Sequence, residues 1–64
     1  MAEKFKCPVC GELTVDEPRY YSLCEVCNWE DDPVQYMYLD RGGGANQMSL
    51  NQAREAYKRG EKVI

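Results

Sequence analysis

This sequence predicts a small metal-stabilised α+β domain, and three observations lead there. Its four cysteines fall into two C-x2-C pairs, Cys7 with Cys10 and Cys24 with Cys27. Thirteen residues, Gly11 to Leu23, separate the pairs, enough for a hairpin that sets one pair against the other. Near the C-terminus, Ser49 followed by Gln52 reads as a capping box opening a helix. The expected architecture is zinc-ribbon-like, with antiparallel β-hairpins around a four-cysteine site and one C-terminal α-helix. A single domain spans residues 1–64: a ribbon core over 1–35, a strand and glycine loop over 36–48, and a helix over 49–60.

The cysteine spacing carries most of this reading. Two residues between cysteines let one tight turn aim both sulfurs at a single cation. Two facing turns then make the tetrahedral four-thiolate site that zinc takes in a structural role. Gly11 follows the first turn, where a positive φ is expected, and Asn28, the next most tolerant residue, follows the second. Cys7, Cys10, Cys24 and Cys27 are thus the candidate ligands of one structural Zn2+. Two disulfides are the competing reading. Against them, Met1-Ala2-Glu3-Lys4 leads into no apolar run of a secretory leader, and a bridge within C-x2-C is more often redox-active than structural. A reducing cytoplasm is the expected compartment.

Length and charge narrow the function classes. A chain of 64 residues encloses a core that barely offsets the cost of ordering it. A structural zinc contributes on the order of 10–16 kcal/mol in small peptides, so the metal-free chain is expected to be loose or unfolded. No stretch approaches the length of a membrane span, and no membrane partner is expected. Residues 1–35 hold three basic groups, Lys4, Lys6 and Arg19, against eight acidic ones, whereas residues 36–64 hold five basic against three acidic. Four thiolates around one Zn2+ make the first half more negative still. Nucleic acid, which demands a basic face, is not the expected partner of a ribbon of that sign.

Along the chain, Glu3–Lys6 reads as a strand entering the first cysteine turn, in which Pro8 fixes φ. Glu12-Leu13-Thr14-Val15 alternates, which sends Leu13 and Val15 to the core. Asp16-Glu17-Pro18-Arg19 is a turn by composition, and Tyr20–Leu23 is the return strand that delivers Cys24. Asn28-Trp29-Glu30 reads as a third strand, ended by Asp31-Asp32-Pro33. Over Val34–Leu39 both alternating faces are largely apolar, which fits either a strand buried on two sides or an irregular strip. Arg41–Asn46, with its three glycines, is a loop. In the helix, Leu50, Ala53, Ala56 and Tyr57 share one face, Glu55 and Arg59 form an i,i+4 pair, and Gly60 is placed to end it. Glu61–Ile64 frays unless Val63 and Ile64 find a groove.

The residues also resemble a known family. Cys7-Pro8-x-Cys10-Gly11, Asp16-Glu17-Pro18, Cys24-x-Val26-Cys27-x-Trp29-Glu30-Asp31-Asp32-Pro33-Val34-Gln35, Gly43-Gly44-Ala45-Asn46 and Ser49-Leu50-Asn51-x-Ala53-Arg54 stand in the order of the bacterial cysteine-rich CPCC family. The resemblance runs from about Phe5 to Tyr57 and implies a zinc-binding domain while naming no activity. One position departs: Val9 stands where the family's C-P-C-C run has its third-place cysteine, so the ligand set here needs no further thiol.

For function, an enzyme is not expected. The chain has no histidine, and four thiolates leave a metal no open coordination position. Trp29, Glu30, Asp31 and Asp32 are the candidate partner-binding residues, an aromatic anchor beside a steering acidic rim. The alternative makes Trp29 a lid on the metal site and the acids solvated or bonded to turn N–H groups. Tyr20, Tyr21, Tyr36 and Tyr38 read as core and hairpin pairs. Asn46 and Arg54 read as ties between glycine loop and helix, or as parts of a flexible loop and a solvated helix. Met37, Met48, Val63 and Ile64 complete the core or form a dimer seam. The expected function is a protein-binding module, an inhibitor or immunity-type partner of a basic protein. The alternatives are a rubredoxin-like iron electron-transfer protein, although the second turn lacks that family's Pro and Gly, and a nucleic-acid-binding ribbon.

Overall fold

A computed structural model describes residues 3–64. The chain forms β1 (Phe5–Lys6), β2 (Leu13–Val15), α1 (Pro33–Met37) and α2 (Leu50–Lys58). Strands β1 and β2 pair antiparallel across the first cysteine turn. The segment between the cysteine pairs is therefore not a hairpin of its own, because β2 folds back on β1 instead. Tyr20–Leu23 returns without pairing to β2: Tyr20 and Tyr21 still belong to the turn, and Arg19 and Tyr21 adopt positive φ of 61° and 59°. A second, smaller hairpin then forms around the second cysteine pair. Leu23 bridges Glu30, Cys24 N–H donates to Trp29 O at 2.9 Å, and Asp31 N–H donates to Ser22 O at 3.0 Å. The expected third strand is this single bridge.

The register within β2 overturns the expected alternation. Phe5 faces Val15 and the adjacent Lys6 faces Leu13, so Thr14 is an extra residue in a β-bulge. Period two is broken there. Val15 enters the core at 1% exposure, while Leu13 turns to solvent at 62%.

Val34–Leu39 is neither strand nor irregular strip at its start. Asp32 caps the N-terminus of α1, its carboxylate accepting from Val34 N–H at 2.8 Å and Gln35 N–H at 3.3 Å, and Pro33 takes the first helical position. Only Gln35 of this single turn is buried, so the apolar residues on both alternating faces are exposed. All four tyrosines read as core or hairpin pairs are exposed as well.

Helix α2 forms as its sequence dictates. Ser49 Oγ accepts from Gln52 N–H at 3.1 Å while Gln52 Oε1 accepts from Ser49 N–H at 2.9 Å. At the other end Gly60 N–H donates to Tyr57 O and Glu61 N–H to Ala56 O, the paired bonds of a Schellman motif. Leu50, Ala53 and Ala56 are buried, but Tyr57 lies at the edge of the apolar face, 39% exposed. Glu55 meets Lys58 at 3.7 Å rather than the side chain of Arg59, whose guanidinium turns back to the Glu55 carbonyl. The C-terminal segment does not fray: Val63 joins the core, and Ile64 O accepts from Gln47 and Met48 N–H at 2.7 and 3.0 Å.

The described residues measure 33 × 24 × 13 Å, a slab too thin to enclose many side chains. Its buried cluster is Cys7, Val15, Cys24, Cys27, Trp29, Leu50, Ala53, Ala56 and Val63. Three of these are cysteines, so the sulfur site and the hydrophobic core are one body. Among the described residues no helix is long and apolar enough to cross a membrane.

Candidate metal centre

The two cysteine turns share one backbone plan. Cys7 N–H donates to Glu12 O and Gly11 N–H to Cys7 O; in the second turn Cys24 N–H donates to Trp29 O and Asn28 N–H to Cys24 O, all four at 2.9 Å. Gly11 and Asn28 occupy equivalent places with φ of 77° and 68°, the left-handed conformation the sequence assigned to them. Each hairpin thus presents a rigid pair of sulfurs.

Those pairs meet. The four Sγ atoms of Cys7, Cys10, Cys24 and Cys27 all lie within 4.8 Å of one another, and no other group of three or more such ligands occurs among the described residues. Cys7 and Cys27 Sγ stand 3.5 Å apart, Cys10 and Cys24 Sγ 3.7 Å, and all four cysteines are free thiols. Four sulfurs bonded at about 2.3 Å to one tetrahedral zinc lie roughly 3.8 Å from each other, so this cluster has the dimensions of a metal site.

Its surroundings fit thiolates. Val9 N–H donates to Cys7 Sγ at 3.4 Å, and Thr14 Oγ1 donates to Cys24 Sγ at 2.9 Å. Burial pushes the Cys10 thiol up to about 11, opposed by the backbone N–H of Glu12. Burial raises Cys27 further, opposed by the N–H of Trp29. At Cys24 burial again disfavours charge, but the Thr14 hydroxyl and the N–H groups of Cys27 and Val26 outweigh it and bring the thiol down to about 7. Sulfurs crowded at one point, the Cys10 and Cys27 thiols resisting ionisation and Cys24 already favouring it, are what a cation would convert to thiolates.

Of Trp29, Glu30, Asp31 and Asp32, only Glu30 keeps part of its surface exposed. Trp29 and Asp31 are fully buried and Asp32 nearly so. Trp29 lies in the same cluster as three of the cysteines, and its indole N–H has no hydrogen-bond partner. Asp31 accepts from Arg19 N–H at 2.8 Å and from the Arg19 guanidinium at 3.2 Å, and that guanidinium stacks 4.0 Å from the Tyr36 ring centroid. Asp32 caps α1 and accepts from Ala45 N–H at 3.0 Å. Burial works against its charge, but the N–H bonds from Ala45, Val34 and Gln35 prevail and hold its carboxyl below the ordinary value. Glu30, partly buried, is held by its backbone: its N–H donates to Asn46 Oδ1 at 2.9 Å and its carbonyl accepts from Asn46 Nδ2 at 2.8 Å. Here donors from Arg19 and Ala45 let the carboxylates of Asp31 and Asp32 lie inside.

Two further ties went unread in the sequence. Gln35 accepts from the Asn46 side chain at 2.8 Å and donates to the carbonyls of Arg41, Asn46 and Met48, fastening α1 to the glycine loop. Arg54 does not reach that loop; its Nε donates to Pro8 O at 2.8 Å and joins α2 to the first cysteine turn.

A family model described as cysteine-rich CPCC matches residues 5–60. The chain belongs to the cysteine-rich CPCC family. No curated protein matches it. In this CPCC protein Val9 stands between Cys7 and Cys10, and the four cysteines of the chain all converge.

Proposed function

We propose that this CPCC protein is a non-catalytic protein-binding module whose zinc-ribbon-like fold is built on one structural zinc, and that it recognises a basic protein. The observation that carries the metal half is the closed set of four converging sulfurs. Bound there, zinc ties two hairpins together, and four thiolates leave it no open position for a substrate.

The binding half rests on what surrounds the sulfurs. Leu13, Leu23 and Val26 are exposed on the cysteine hairpins, and the carboxylates of Glu12, Glu17 and Glu25 enter no salt bridge among the described residues. Lys4 and Arg19, two of the three cations of this half, are engaged by Asp16 and Asp31. An apolar surface with unpaired carboxylates and a negative metal centre suits a basic partner, for which charge complementarity speeds capture. A reducing cytoplasm suits the free thiols. Affinity capture from a cell lysate is expected to enrich a basic protein that salt releases and that Leu23→Lys fails to retain. Recovery of no basic partner, or salt-dependent retention on a DNA or RNA column, would contradict the reading.

Iron in the same four sulfurs is the competing reading, since backbone N–H bonds to thiolates also serve iron–sulfur electron transfer. Elemental analysis decides it: zinc in a colourless protein is expected, and iron with visible colour would move the assignment to electron transfer.

A further inference from the structure

The bulge in β2 does more than expose Leu13. It adds one residue, Thr14, between the pairings of Val15 and Leu13, and bulges re-aim side chains beside functional sites. Here the re-aimed group crosses between hairpins: Thr14 Oγ1 donates to Cys24 Sγ at 2.9 Å, while the other three sulfurs have no side-chain hydroxyl donor among the described residues. The two cysteine turns share two backbone bonds, those donated by Cys7 and Gly11 in the first and by Cys24 and Asn28 in the second. Four residues past Cys10 stands Thr14; four residues past Cys27 stands Asp31, whose carboxylate takes Arg19 instead of approaching a sulfur. The two turns therefore share a backbone plan but differ in the side chains that follow them.

We propose that Thr14 is a positioning residue of the metal centre, which draws charge from the Cys24 thiolate alone and locks the second hairpin onto the first. This rests on the four-cysteine metal reading above. A hydroxyl donated to a metal-bound thiolate removes electron density from that sulfur. Loss of such an outer hydrogen bond commonly weakens metal binding about 10–100-fold.

The test compares the full chain with Thr14→Val, which keeps the β-branched shape, and with Thr14→Ser, which keeps the hydroxyl. With cobalt(II), Thr14→Val is expected to move the sulfur-to-metal charge-transfer band to lower energy. Its zinc affinity, measured by chelator competition, is expected to fall about tenfold or more. Thr14→Ser is expected to restore both. An unchanged band and affinity in Thr14→Val would overturn the assignment, as would equal losses in Thr14→Ser, which would make the methyl group responsible. Should Thr14→Val fail to fold around metal, cadmium–proton correlation in the unaltered chain decides. A Thr14 hydroxyl proton coupled to cadmium through Cys24 Sγ supports the assignment, and a resolved hydroxyl proton without that coupling overturns it. An unaltered chain that takes up no metal removes the four-cysteine reading itself, and this inference with it.

Discussion

Asp32 shows how a single carboxylate serves as scaffold. It accepts from Val34 and Gln35 N–H at the start of α1 and from Ala45 N–H in the glycine loop, and its acid form is disfavoured in the fold. The pKa is depressed on folding, so the stabilisation is fully present above the unfolded carboxylate pKa, about 3.9, and disappears as pH falls through the lower folded value. Asp32→Asn, which keeps the cap but turns an amide NH2 toward the Ala45 N–H, is expected to cost about 1–3 kcal/mol at neutral pH. The gap to the unaltered chain should narrow as pH drops through the carboxylate range, and denaturant unfolding along a pH series measures it. Cys27→Ser tests the site at the same scale. Removing one buried sulfur from the set of four is expected to abolish tight zinc binding, read by chelator competition. At this scale spacing made the convergence of the four cysteines legible, and backbone preference made the positive φ of Gly11 and Asn28 legible. Asp31 and Asp32 were legible only as one of two open readings, acids bonded to turn N–H groups, because Arg19 and Ala45, which turn the run inward, stand twelve and thirteen residues away. Thr14 was not, because a bulge leaves no mark in the composition of three residues.

Elements divide by whether their ends carry their own signals. Helix α2 was legible from Ser49 and Gln52 at its start and Gly60 at its end, since these bonds are local. Ser49→Ala is expected to lose about 1 kcal/mol by removing the cap, a shift readable as a lower denaturant midpoint. Helix α1 carried a signal too, Asp32 before Pro33, but the apolar run after it imitates a buried strand. The run stays exposed because a single turn buries only Gln35. The glycine loop is built by contact. A Cβ at Gly44 would meet Asp32 Oδ2 at 2.8 Å and Gln35 Cδ at 3.0 Å, displacing the two side chains that tie loop to helix. Gly44→Ala is therefore expected to destabilise the loaded protein by about 1–3 kcal/mol. It should leave the metal stoichiometry unchanged, because neither contact belongs to the cysteine hairpins.

At the scale of the whole molecule, the core and the four-cysteine site are inseparable. Val15 reaches the core from the first hairpin, Trp29 from the second, Leu50, Ala53 and Ala56 from α2 and Val63 from the C-terminal segment, and all gather in one cluster with three of the four cysteines. Arg54 fastens α2 to the first cysteine turn through Pro8, and Asn46 with Gln35 fastens the second hairpin to α1. Few side chains are fully enclosed, so without a cation the crowded sulfurs sit where a larger protein would place hydrocarbon. The central claim is that a metal holds this arrangement together. Metal content and far-UV circular dichroism, before and after chelation and again after adding Zn2+, test it most directly. One zinc per chain, with structure lost to the chelator and regained with zinc, is the expected result. A chain that keeps its helical signal and a rigid Trp29 environment after its metal is gone would contradict it.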